Sequence, residues 1–200
     1  DNPDCAAYGD YRDMLARDDI DTVSLGLPDH WHAIPAIEAA KSGKDIFGEK
    51  PLSHDLRQGR AMCDAVHRYG RIWQTGSQQR SDGRFRFACE LVVNGRIGKV
   101  HRCEVGLPTG GGGGSTEPKP VPPGVDWDFW LGPLRWRPFN RRYCHGVFRW
   151  IMESGGGQIR DRGAHVMSNA LDYMKSDHTG PVSIEATGTL PTRGLWDTAI

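Results

Sequence analysis

The sequence predicts an α/β fold: a parallel sheet with helices on both faces, followed from residue 99 by a region of different texture. A strand-loop-helix pattern recurs three times between residues 22 and 95, and short connections of this kind join parallel strands. The three helical stretches stop at Gly43, Gly70 and Asn94-Gly95, residues that accept the backbone turn closing a helix. After Lys99 the pattern gives way to glycine, proline and tryptophan clusters. These observations divide the chain into domains at 1–98 and 99–200. Open parallel sheets bind ligands outside the carboxyl ends of their strands, so the loops after each strand are where chemistry is sought.

The elements follow in order. Tyr11, Met14 and Leu15 lie at helical spacing in a short surface helix over 8–17 that breaks at Asp18-Asp19. Val23, Leu25 and Leu27 alternate with Ser24 and Gly26 as a first strand, and Pro28 opens the loop Pro28-Asp29-His30-Trp31-His32. A helix from His32 presents Ile34, Ile37 and Ala40. Residues 45–48 form a second strand, Glu49-Lys50-Pro51 its terminal loop, and Ser53 the cap of a helix carrying Met62, Ala65, Val66 and Tyr69. Residues 71–75 form a third strand, followed by the loop 76–82 and a helix through Phe87, Leu91 and Val92. Beyond it, 100–107 and 182–188 alternate as strands. Residues 110–123 are a breaker-rich stretch that reads as mobile or as a lid, and the Trp127 to Pro133 segment reads as a packed insertion. Gly155-Gly156-Gly157 leads into one helix bearing Asp161, His165, Asn169 and Asp172.

Composition excludes several classes. Lys plus Arg and Asp plus Glu stand at 25 each, so no basic field points to nucleic acid or an anionic membrane. No apolar run approaches the roughly 20 residues of a membrane span, and the first residues lack a signal-peptide pattern. The five cysteines are odd in number and have no C-x-x-C spacing, which speaks for reduced thiols over disulfides or zinc.

Candidate chemistry sits in three places. Lys50 is a cation at the carboxyl end of a parallel strand, with Pro51 restricting its backbone. Asp161 and His165, four apart, share one helix face, where a carboxylate can orient an imidazole and raise its basicity; Gly163 between them keeps the surface open. The triple glycine ahead of them reads as space for a close-approaching ligand. His30 and His32 form an H-x-H pair, but no Cys or carboxylate stands beside them at ligand spacing, so no metal is expected. Trp127, Trp130 and Trp136 could stack on a sugar.

Together these residues resemble the Gfo/Idh/MocA family of nicotinamide-dependent sugar and polyol oxidoreductases. The resemblance rests on Leu27-Pro28-Asp29-His30-Trp31-His32, Glu49-Lys50-Pro51, Gln74-Thr75-Gly76-Ser77-Gln78-Gln79-Arg80 and the segment from Gly155 to His165. Asp126-Trp127-Asp128 through Gly132-Pro133 is similar to a branch found in sugar-using bacteria. The resemblance implies a Rossmann-type sheet that here lacks its G-x-G-x-x-G element, then the start of an α+β substrate domain with a mostly antiparallel open sheet. It implies NAD or NADP as cofactor and hydride transfer from a secondary alcohol of a sugar or polyol. Lys50 would bond the reacting oxygen, His165 move its proton, and Asp161 hold the sugar or the imidazole. Leu27, Pro28, His30, His32, Glu49, Lys50 and Gln78 would line the cofactor; Lys50, Arg80, Trp127, Asp161 and His165 would contact substrate. It further implies a homo-oligomer formed through the C-terminal sheet, no nucleic-acid or membrane partner, and a cytoplasmic location, or a periplasmic one if an export signal lies upstream. Two rival readings use the same residues: a glycosidase working through a 3-keto sugar with bound NAD, and a non-catalytic sugar-binding protein.

Overall fold

A computed structural model describes residues 4–199. The chain forms two compact units. The first contains residues up to Leu27 together with Trp31–Gly76; the second contains Pro28–His30 and the residues from Ser77 onward. The helix over 83–93 therefore groups with the second unit and not, as the sequence boundary at 98/99 has it, with the first, because it packs against the helix over 163–173.

In the first unit the elements are α1 (Tyr11–Leu15), β1 (Thr22–Leu25), α2 (Ala33–Lys41), β2 (Asp45–Glu49), α3 (Leu56–Arg68) and β3 (Trp73–Gly76). The strands pair in the order β1-β2-β3, all parallel, with Ser24 beside Phe47 and Phe47 beside Gln74. Parallel alignment brings every carboxyl end to one edge. Val23, Leu25 and Ile46 pack under α2 and α3 with Met62 and Ala65, while the register row Ser24, Phe47, Gln74 is exposed on the other face.

The buried stripe of α2 is Ala33, Ala36, Ala39 and Ala40, rotated from the expected Ile34 and Ile37, which are only half-buried. Methyl-sized side chains let this helix approach both the sheet and α3, and the larger isoleucines fit its flanks. The cap of α3 also differs from expectation. Asp55, in extended backbone, accepts from the Gln58 N–H at 2.9 Å, while the Ser53 hydroxyl donates to the Asp55 carbonyl.

The second unit contains α4 (Gln78–Ser81), α5 (Gly83–Val93), α6 (Trp127–Leu131), two 3-10 turns (Arg141–Tyr143 and Gly146–Trp150), α7 (Gly157–Asp161) and α8 (Gly163–Tyr173). Its core is aromatic. Trp127 stacks on Trp130 at 4.9 Å between centroids, meets Phe139 edge-on at 5.1 Å, and closes a cluster with Leu131, Tyr143 and Ile151.

The strands expected over 100–107 and 182–188 do not form among the described residues; an isolated antiparallel bridge joins Gly113 and Trp196. Alternation specifies which side chains share a face but provides no partner backbone, and Val182 and Ile184 stand exposed. The 110–123 stretch is tied at several points. The Asn140 side-chain amide donates to the Ser115 and Glu117 carbonyls, the Lys119 N–H donates to the Phe139 carbonyl, and Gly111 lies against the Trp150 ring. No helix among the described residues is long and apolar enough to cross a membrane.

Close packing at the alanine stripe gives a direct test. Ala39 is fully buried, so Ala39→Leu should destabilise the protein by about 1–3 kcal/mol, whereas Ile37→Leu should change stability by less than about 1.5 kcal/mol. Urea midpoints for the two variants check this; equal midpoints would contradict the packing.

Candidate active site

At the carboxyl edge of the first unit's sheet, β1 runs out through Gly26 and Leu27, β2 through Glu49 and Lys50, and β3 ends at Gly76. Two constraints shape this edge. A Cβ on Gly76 would come within 3.0 Å of the Glu49 carboxylate, so the missing side chain lets Glu49 lie across the end of β3. His32, almost fully buried, has Nδ1 2.6 Å from the Pro51 carbonyl oxygen and Nε2 2.9 Å from that of Leu27. One imidazole thus ties the loop after β1 to the loop after β2, and the half-buried Lys50 precedes a cis peptide bond to Pro51.

Both ring nitrogens of His32 face carbonyl oxygens, which leaves neither for a metal or for a cofactor hydroxyl. His30 is 2% exposed in the second unit, its Nε2 2.9 Å from the Trp130 carbonyl oxygen and its ring 5.0 Å from the Trp130 ring. Of the expected cofactor-lining residues, these two histidines are therefore internal ties. Leu27, Pro28, Glu49 and Lys50 are half-buried, and Gln78 is exposed at the start of α4. No group of three or more His, Cys, Asp or Glu among the described residues is arranged to hold a metal.

Asp161 and His165 stand differently from the single helix read in the sequence. Asp161 ends α7 and His165 lies in the first turn of α8, with Arg162 between the two helices. The His165 N–H donates to the Arg162 carbonyl, three residues back, a tightened turn at the junction. The Asp161 carboxylate accepts from Arg149 Nε at 2.9 Å. Arg149 is a site residue that sequence reasoning missed; it comes from a 3-10 turn 12 residues away, and nothing in its local pattern announces the contact.

The triple glycine is explained by packing and not by room for a ligand. A Cβ on Gly155 would stand 2.6 Å from the Arg149 Cα, and Gly157 has φ +70° with Thr198 2.9 Å from its would-be Cβ. Gly163 is likewise buried, with Leu107 3.7 Å away, so it opens no surface.

Two expected substrate residues take on structural work. Trp127 is 5% exposed, its indole N–H donates to the Arg137 carbonyl at 2.7 Å, and both ring faces lie inside the aromatic core, which corrects its assignment as a sugar-stacking residue. Arg80 spends its guanidinium on the Ser168 hydroxyl and carbonyl and on both oxygens of Asp177, tying α4 to α8 and the turn beyond it.

Comparison with known proteins bears on both units. Residues 1–77 match the family model described as oxidoreductase family, NAD-binding Rossmann fold, and residues 109–192 match that described as oxidoreductase family, C-terminal alpha/beta domain. The chain belongs to the Gfo/Idh/MocA oxidoreductase family. It is 35% identical to the uncharacterized oxidoreductase YrbE of Bacillus subtilis over 88% of this chain and 48% of that protein. It is 31% identical to the myo-inositol 2-dehydrogenase of Thermotoga maritima over 60% of this chain and 33% of that one. The crystal structure of an NAD-binding protein from Listeria innocua shares its fold, with a TM-score of 0.53 at 21% identity over 82% of this chain and 38% of that chain. The chain thus spans about half the length of YrbE and about a third of the inositol enzyme.

The N-terminal part of this Gfo/Idh/MocA chain is thus an NAD-binding domain, which takes a nicotinamide dinucleotide. The sheet edge leaves room for the nicotinamide half of it at Gly26, where an added Cβ would meet no atom within 4 Å, whereas Glu49 fills the space over Gly76. A flat ring and its ribose can therefore lie close to the backbone beside Lys50.

Two outcomes follow from the glycine and arginine contacts. Gly155→Ala drives a Cβ into backbone and should destabilise by about 1–3 kcal/mol, whereas at Gly156 the neighbour is the flexible Arg160 side chain and the loss should be smaller; thermal unfolding of both variants measures the difference. The Arg80 guanidinium holds the Asp177 carboxyl below its usual range. The pair's contribution is therefore present above about pH 4 and lost as pH falls through the depressed value. At about 1 kcal/mol or less for a partly exposed pair, it should appear as an acid-side loss of Tm that Arg80→Ala lacks.

Proposed function

We propose that this chain is part of an NAD(P)-dependent oxidoreductase that moves a hydride between a secondary alcohol carbon of a sugar or polyol and the nicotinamide ring. The observation that carries the reading is Lys50, held at the carboxyl edge of a parallel sheet within an NAD-binding domain, in a loop clamped by His32. The polyol substrate class draws support from the inositol relative.

The bound cofactor would supply a two-electron acceptor, and the chain's own residues would do the remaining work. The Lys50 ammonium donates a hydrogen bond to the substrate oxygen and favours the charge that builds there as the hydroxyl proton leaves. His165 accepts that proton at an imidazole nitrogen and returns it when the reaction runs toward the alcohol. Asp161, steadied by Arg149, holds a substrate hydroxyl or the imidazole. Leu27 and Pro28 flank the sheet edge where the nicotinamide ribose would lie. Oxidation thus removes one hydride from carbon and one proton from oxygen, leaving a ketone.

The test uses the full-length enzyme. NADH or NADPH formation should appear with myo-inositol or another member of a sugar and polyol panel. His165→Ala should lower kcat by about 10²–10⁴-fold, Lys50→Ala at least as far, and Asp161→Asn less, with NADH affinity largely retained in all three. Wild-type kcat in the His165 or Lys50 variant would sink the assignment.

A further inference from the structure

The second unit contains a cavity of about 690 Å³ that the proposed oxidation does not use. Its volume suits a small organic ligand. Pro122, Val125, Phe129, Trp130 and Phe139 form its walls. Trp130 and Phe139 are fixed by the aromatic core behind them, so these walls are rigid, flat and apolar. Cys144 also faces the cavity, and burial pushes its thiol up, so at neutral pH it adds an uncharged surface.

The polar groups at the rim are few and unequal in their commitments. Lys119 is paired with Glu117 at 2.9 Å. Asp126 caps α6, its Oδ1 accepting from the Phe129 N–H at 2.8 Å, and Oδ2 has no hydrogen-bond partner among the described residues. The side chains of Arg141 and His145 make no hydrogen bond or ion pair among the described residues. The rim thus offers one uncommitted guanidinium with a histidine near it in sequence, and one carboxylate oxygen able to accept from a hydroxyl.

We infer that this cavity binds a hydroxylated aromatic carboxylate, its ring against the aromatic walls, its carboxylate on Arg141 and its hydroxyl on Asp126. Ring stacking fits the flat walls, and a planar carboxylate matches the guanidinium fork. The nearby Asp126 charge favours a monoanion over a phosphate dianion. The assignment is independent of the oxidoreductase reading, since binding here requires neither cofactor nor turnover.

Isothermal titration of the protein with 4-hydroxycinnamate tests it, beside the uncharged 4-hydroxycinnamamide. Saturable one-to-one binding of the acid is expected, with the amide weaker by roughly tenfold, the effect of removing a charge-assisted hydrogen bond. Arg141→Gln should weaken the acid about equally and leave the amide unchanged, and Phe129→Ala should weaken both. Arg57→Gln, an exposed arginine in the first unit, should change neither. Absence of saturable binding, equal affinity for acid and amide, or loss in Arg57→Gln as large as in Arg141→Gln would each overturn the assignment.

Discussion

The placement of Lys50 depends on one buried imidazole. His32 holds the Leu27 and Pro51 carbonyl oxygens at opposite ends of its ring, and those carbonyls belong to the loops leaving adjacent parallel strands. Backbone groups in such loops have no ladder partner and need a donor when buried. One ring stands against the carbonyl oxygens of both loops where they leave the sheet. Lys50 therefore stands on a braced loop, as the role proposed for it requires. The brace also explains why His32 caps α2 only through its backbone position: its ring is already committed.

Packing distances set the rest of the first unit. Alanines on α2 bring helix and sheet close enough that Ala36, Ala39 and Ala40 have essentially no solvent contact. Gly48 has the same function within the sheet, since a Cβ there would stand 2.3 Å from the Trp73 ring. In the second unit, Gly155 accepts the Arg149 backbone, and that approach carries the Arg149 side chain to Asp161. Small residues thus govern where the charged ones arrive.

The aromatic cluster of the second unit has a double consequence. Trp127 fills its centre and is lost to ligands, while Trp130 and Phe139, held by it, turn surface toward a cavity. Which tryptophan faces inward depends on contacts between residues ten or more positions apart, such as the Trp127 indole bond to Arg137 and the ring contact to Tyr143.

The sequence by itself determined the local elements. Alternation from Val23 to Leu27, the short strand at 45–48, the helical spacing of Met62, Ala65, Val66 and Tyr69 and the glycines at 43, 70 and 95 report backbone conformations encoded within a few residues, and the structure has β1, β2, α3 and left-handed glycines at those three positions. The motif around Lys50 was legible because strand, loop and proline adjoin in the chain. Only the tertiary structure decided partners. The 100–107 and 182–188 segments alternate but find no strand to pair with among the described residues, Asp161 is held by Arg149, and the triple glycine serves the Arg149 backbone and Thr198. The physical reason is range: periodicity records which side of an element is apolar, whereas hydrogen bonds and close approaches join groups whose separation along the chain leaves no mark on either one's neighbours.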